Sequence, residues 1–141
     1  MATYDPPKFE ANGKTIVTTP NRLSMDGNYN YIYPSLIFRC DEKNELDLLL
    51  YSYMQAAYND NGYHMLVSNP QKEGSHILIN FDPLENVQSF NSEKQKLFKF
   101  LKANDEVTFA FKAMGDHMSV QTYDLKPIKE ALINKKLSCN W

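Results

Sequence analysis

The sequence predicts a mainly β protein of the α+β kind, an antiparallel β-sandwich or barrel-like sheet with two helices in its C-terminal half. Three observations predict it. Short segments of β-branched and aromatic residues recur from residue 15 onward, several with apolar side chains at every second position. Turn-forming runs such as Asn12-Gly13, Met25-Asp26-Gly27-Asn28 and Asn59-Asp60-Asn61-Gly62 separate them at short intervals. Helical periodicity shows in only two places, over residues 92–102 and after Pro127.

Residues 1–14 read as an N-terminal arm or lead-in strand, and residues 15–141 as a single β-rich domain. Thr15, Ile16, Val17, Thr18 and Thr19 make the first clear strand, ended by Pro20. Residues 29–33 alternate aromatics with Asn30 and Ile32 until Pro34 closes them. Residues 35–40 form a short apolar run, read as a buried strand, and the polar turn 41–44 follows. Residues 45–53 alternate partially. Leu46, Leu48 and Leu50 share one face, with Asp47, Leu49 and Tyr51 on the other. A helix is open there, but the preceding turn and the tyrosines favour a strand.

Residues 63–67 and 76–81 are two further strands around a polar loop. Ile77, Ile79 and Phe81 share a face, and Asp82-Pro83 is expected to end the second strand. Ser92 and Gln95 have capping-box spacing ahead of a helix whose apolar stripe is Leu97, Phe98 and Leu101. Asn104-Asp105 stops that helix. Val107, Phe109 and Phe111 then alternate in the clearest hairpin strand, and residues 117–123 return with Met118 and Val120 on one face. Pro127 sits where a first helical turn tolerates proline, and Ile128, Ala131 and Leu132 give the short last helix an apolar side. The expected total is about seven or eight strands and two helices. The expected core is Leu36, Phe38, Leu48, Ile77, Ile79, Phe81, Leu97, Leu101, Val107, Phe109 and Leu132.

A chain of 141 residues fits one domain and buries roughly two-thirds of its unfolded surface. Apolar residues at 43% and charged residues at 23% are ordinary for a globular protein, which argues against general disorder. The formal charge of −2 gives no overall field to attract nucleic acid or an anionic membrane. No apolar run approaches the length of a bilayer span, so no membrane insertion is expected. Residues 1–10 lack the basic and apolar regions of a signal peptide. A cytosolic protein and an exported one whose leader is missing both fit that start.

Candidate chemistry is sparse. His117, Met118, Ser119 and Val120 match one half of the paired signature of two-histidine phosphoesterases, which needs a second such motif to supply acid and base together. His64 and His76 are followed by no hydroxyl residue at that spacing. A histidine that simply begins a return strand is the simpler reading. Cys40 and Cys139 have no ligand neighbours at zinc spacing. No nucleophile elbow and no phosphate loop occurs. The expectation is therefore no catalytic residues, no metal, no cofactor and no enzyme activity. Basic and aromatic residues interleave over 94–102, but Phe98 and Phe100 read as core there, and no nucleic-acid partner is expected.

Nine tyrosines against one tryptophan are the compositional deviation. Tyr29, Tyr31 and Tyr33 would project to one strand face, and Tyr51 and Tyr53 come from a nearby segment. Tyrosine gives large contact area at small conformational cost, so this cluster is the candidate protein-binding surface. Rings that merely cover a sheet face are the alternative.

The two cysteines invite a bridge. A C-terminal helix docked on the sheet would bring Cys139 to Cys40, and closing so long a loop contributes on the order of 4–5 kcal/mol in the chain-entropy model. Two unrelated buried thiols remain the alternative.

Leu23-Ser24-Met25-Asp26-Gly27, then Ser35-Leu36-Ile37-Phe38-Arg39-Cys40, a helix ending Phe98-Lys99-Phe100-Leu101-Lys102, Tyr123-Asp124-Leu125 and a terminal Cys139-Asn140-Trp141 stand in one order. That order resembles the VasI-type accessory proteins of type VI secretion loci and related small exported domains of bacteria and phages. The resemblance covers residues 20–141, with Tyr123 where the pattern has Phe. It implies an exported, disulfide-linked domain that binds another protein, with the R-C strand tied to the C-x-W end. It carries no catalytic residues. A periplasmic or secreted accessory or immunity-like factor is the leading expectation, and a cytosolic phage- or island-encoded inhibitor of another protein is the second.

Overall fold

The computed structural model describes residues 9–11, 14–20, 22–25, 34–51, 56, 62–84, 87–113 and 117–141. Among these, eleven strands form two antiparallel sheets. One sheet takes β1 (Phe9–Ala11), β2 (Thr15–Thr18), β4 (Ser35–Cys40), β5 (Leu46–Tyr51), β9 (Val87–Ser89) and β8 (Asp82–Leu84), in that spatial order. The other takes β3 (Arg22–Met25), β11 (His117–Asp124), β10 (Glu106–Ala113), β6 (His64–Ser68) and β7 (His76–Asn80). Helices α1 (Lys94–Ala103) and α2 (Lys126–Ile133) lie in the C-terminal half. The arrangement is sandwich-like, with one apolar cluster shared by both sheets and both helices.

The alternation in β4 and β5 explains the centre of the first sheet. Leu36 stands opposite Leu50, Phe38 opposite Leu48 and Cys40 opposite Leu46, so period two sends all six inward. The turn between the strands is set by Asp41, whose Oδ1 accepts the N–H groups of Lys43 at 2.8 Å and Glu45 at 2.9 Å. Asn44 closes it with φ of 59°, a left-handed conformation that asparagine tolerates. Phe9–Ala11 pairs with β2 as a lead-in strand. The expected core is buried throughout, except that Ile77 is half-buried at the margin of the cluster.

Two expectations need correction. Asp82-Pro83 does not end the strand run. Phe81 is a corner where the chain leaves β7 and begins β8 in the opposite sheet, its N–H held by the Tyr63 carbonyl at 3.1 Å. Pro83 is accommodated because β8 is the outermost strand and one side of it needs no ladder bond. The short strands β3, β8 and β9, too brief for a period to show, raise the total above the seven or eight expected.

The capping box also does not form. A 3-10 turn, Asn91–Glu93, precedes α1, and no side chain among the described residues caps that helix. Glu93 instead accepts the Asn80 N–H at 2.8 Å, and Lys96 Nζ donates to the Leu78 carbonyl at 3.0 Å. Both groups lie on the outer edge of β7, so the helix occupies an edge that another strand could otherwise extend.

Met118 and Val120 share one face of β11 as expected, and the structure decides that it is the outward one. Met118 is exposed and Val120 half-buried, while Ser119, Gln121 and Tyr123 are buried. Register decides this, because Ser119, Gln121 and Tyr123 stand opposite the inward Phe111, Phe109 and Val107 of β10. Their polar atoms satisfy one another. Tyr123 OH donates to Gln121 Oε1 at 2.7 Å, and Gln121 Nε2 donates to Ser119 Oγ at 2.9 Å.

Candidate functional site

The covalent tie positions the candidate site. Cys40 ends β4, and its sulfur is bonded to that of Cys139 at 2.04 Å, with the Cα atoms 5.7 Å apart. The tail is held beside the turn by Asn44, which donates to the Ser138 carbonyl at 3.2 Å and accepts from the Ser138 hydroxyl at 2.9 Å. Trp141 is thereby brought against the core. Its ring centroid lies 5.9 Å from Phe38, near-perpendicular, and 6.1 Å from Phe98.

The two helices are joined on the same side. Lys129 Nζ donates to the carbonyls of Lys102 at 3.1 Å and Asn104 at 2.6 Å, and pairs with Asp105 at 3.1 Å. A cation at these carbonyls satisfies acceptors that the end of α1 leaves free. Helix α2 ends with Lys135 at φ of 56°, and Lys136 N–H reaches back to the Ala131 carbonyl at 2.8 Å. Between α1, α2 and the tail lies a cleft of about 310 Å³, lined by Lys102, Lys129, Leu132, Ile133, Asn140 and Trp141.

A second cleft, of about 510 Å³, opens at one end of the five-stranded sheet between the turn after β6 and the ends of α1 and β11. Its organiser is Asn104, buried at 6% exposure. Asn104 Oδ1 accepts from Asn69 at 2.9 Å and Ser75 at 3.2 Å, while its Nδ2 donates to the Phe100 carbonyl at 2.8 Å. Lys72 and Lys126 face Asp105, Glu106 and Asp124 across the opening, so it carries mixed charge.

The open face of the five-stranded sheet is a third surface. Leu66 stands opposite Leu78, and both are exposed, at 42% and 55%. Met118 on the same face is 42% exposed. His64 and His76 occupy this face at opposite ends of the β6–β7 pair. No group of three His, Cys, Asp or Glu side chains among the described residues is placed to hold a metal. Ser119, the hydroxyl of the His117 motif, is sealed in the core against Gln121.

Of the tyrosines singled out in sequence, Tyr29, Tyr31, Tyr33 and Tyr53 lie outside the described residues. Tyr51 is half-buried on the outward face of the six-stranded sheet, between Ser35 and Val87. Sequence reasoning noted the basic residues over 94–102 but overlooked how charge is segregated along the chain. Helix α1 and residues 126–141 together carry eight lysines against one glutamate, while the rest of the chain carries seven basic against sixteen acidic side chains. The signal was present in the run KQKLFKFLKA, which has no acidic residue. A net charge near zero hides a segregated one.

Comparison with known proteins finds no matching family model, no characterised protein and no solved structure with a significant match. No helix among the described residues is long and apolar enough to cross a membrane.

Proposed function

We propose that this chain is a non-catalytic protein-binding domain of an oxidising compartment, periplasmic or extracellular, serving as an accessory factor of the type VI secretion kind or as an immunity-like factor. The observation that carries the reading is the Cys40–Cys139 bridge, which joins a central strand to the C-terminal tail. Such bridges persist where the surroundings are oxidising and are rare in reducing cytosol. The exposed Leu66, Leu78 and Met118 on an uncovered sheet face support a binding role.

The test combines thiol trapping with crosslinking in the native host. Alkylation before reduction should leave both cysteines unmodified. A photocrosslinking residue at surface positions should yield a covalent adduct with one discrete protein. Two modified thiols with a persisting adduct would transfer the reading to a cytosolic inhibitor. No adduct from any of the three surfaces would end the binding role.

A further inference from the structure

We propose that the cleft between α1, α2 and the tail binds an acidic segment of a partner protein that presents one apolar side chain. The inference rests on the protein-binding reading and names the chemistry of the partner. Its basis is the coincidence of unpaired positive charge with a small apolar recess.

Lys99 and Lys102 lie one turn apart on α1, and Lys135 and Lys136 follow α2. All four are exposed, and none has an ion-pair or side-chain hydrogen-bond partner among the described residues. Lys129, by contrast, is fully engaged by three oxygens and serves as a structural post. Of the four unpaired lysines, Lys102 lines the cleft beside Leu132, Ile133 and Trp141, and Lys99 precedes it by one turn of α1. Ile133 is 76% exposed, the most open large apolar side chain among the described residues. A recess of about 310 Å³ accepts one aliphatic or aromatic side chain, and carboxylates beside that anchor would meet Lys102 and Lys99.

Charge distribution favours a peptide over an extended anionic surface. Beyond the helices and tail, the chain carries sixteen acidic against seven basic side chains. A membrane or a nucleic acid extends past the cleft and would also meet acidic side chains of that remainder lying within the screening distance. A short segment meets only the field within a Debye length, about 8 Å at physiological ionic strength. The disulfide fixes the wall of the cleft, because Cys139 stands two residues before Trp141. Preorganisation of this kind lowers the ordering cost of binding.

Trp141 is the only tryptophan, so its fluorescence reports cleft occupancy directly. The probe is a ten-residue peptide with four glutamates flanking one phenylalanine, titrated into the oxidised full chain. Saturable change in Trp141 emission at micromolar peptide is expected. Replacing the glutamates by glutamine, or the phenylalanine by alanine, should weaken binding at least tenfold. The double variant Lys99→Glu, Lys102→Glu should weaken it at least tenfold with the melting temperature unchanged. If that variant unfolds, backbone amide shifts on the unmodified chain serve instead, and should concentrate at residues 99–102, 132–133 and 140–141. Equal binding of the neutral peptide, no emission change, or shifts clustered elsewhere would overturn the proposal. So would preferential binding to phosphatidylglycerol vesicles, or concentration-dependent self-association that the peptide does not compete. Adducts in the native host that persist with the lysine variant would leave the protein-binding reading standing while this cleft is rejected.

Discussion

Asn44 and Ser138, 94 residues apart in sequence, exchange two hydrogen bonds, amide to carbonyl at 3.2 Å and hydroxyl to amide oxygen at 2.9 Å. They stand beside the disulfide, so the tail is attached to the β4–β5 turn both covalently and through polar contacts. Asn44 can present its amide there because the left-handed turn directs it toward the tail.

The bridge is expected to dominate the stability of the C-terminal segment. Replacing both cysteines by serine should cost about 4–5 kcal/mol in the chain-entropy model, read from the shift in denaturant midpoint. Trp141 emission should move to longer wavelength below the unfolding transition, because the ring loses the tie that seats it against Phe38 and Phe98. An unchanged spectrum in the serine variant would mean that packing alone holds the tail.

Gln88 is fully buried on β9, and neither its amide nitrogen nor its oxygen has a hydrogen-bond partner among the described residues. A buried amide left unpaired costs about 1–3 kcal/mol. Gln88→Met, close to isosteric, is expected to raise stability by a similar amount in chemical denaturation. A loss of stability would indicate that the amide is satisfied by water within the sandwich.

Asn104 joins the turn after β6 to the end of α1 through three hydrogen bonds. Asn104→Ala leaves the Phe100 carbonyl and the Asn69 amide without their partner, so a cost of about 2–3 kcal/mol is expected. Proteolysis should then cut first within residues 69–75. Cleavage elsewhere at an unchanged rate would show that the turn is held by its own backbone bonds.

Asp41 supplies the pH dependence that can be assigned. Its pKa lies below the ordinary 3.8, chiefly because the carboxylate accepts the Glu45 N–H, with the Lys43 N–H and the Lys94 charge adding to the effect. A depressed folded-state pKa contributes stability above the unfolded value, and that stability is lost as pH falls through the folded value. Stability should therefore decline below about pH 4, and Asp41→Asn should flatten the decline. Because the group is open to solvent the difference is small, and paired acid titrations of the two proteins are needed to read it. Parallel curves would remove Asp41 as a contributor.

How much of this protein its sequence determines differs from element to element. Residues 106–111 alternate clearly and residues 46–51 in part, and a period of two allows only one inward face. The mainly β class, the helix over 94–103, the short helix after Pro127 and the core from Leu36 to Leu132 follow from such local patterns. The cysteine pairing was legible as an option because few other partners exist, and the chain supplies only these two thiols. Tertiary structure alone decided which face of β11 is buried, where pairing with Phe109 and Phe111 turned Gln121 inward and left Met118 outward. It alone turned Phe81 into a corner, since no local signal tells a strand end from a change of sheet. The lysines were visible in sequence, but the place of Lys102 beside Ile133 and Trp141 was not. Charge accumulates on a surface through packing, and α1, α2 and Trp141 are neighbours only because the β10–β11 hairpin and the disulfide bring distant segments together.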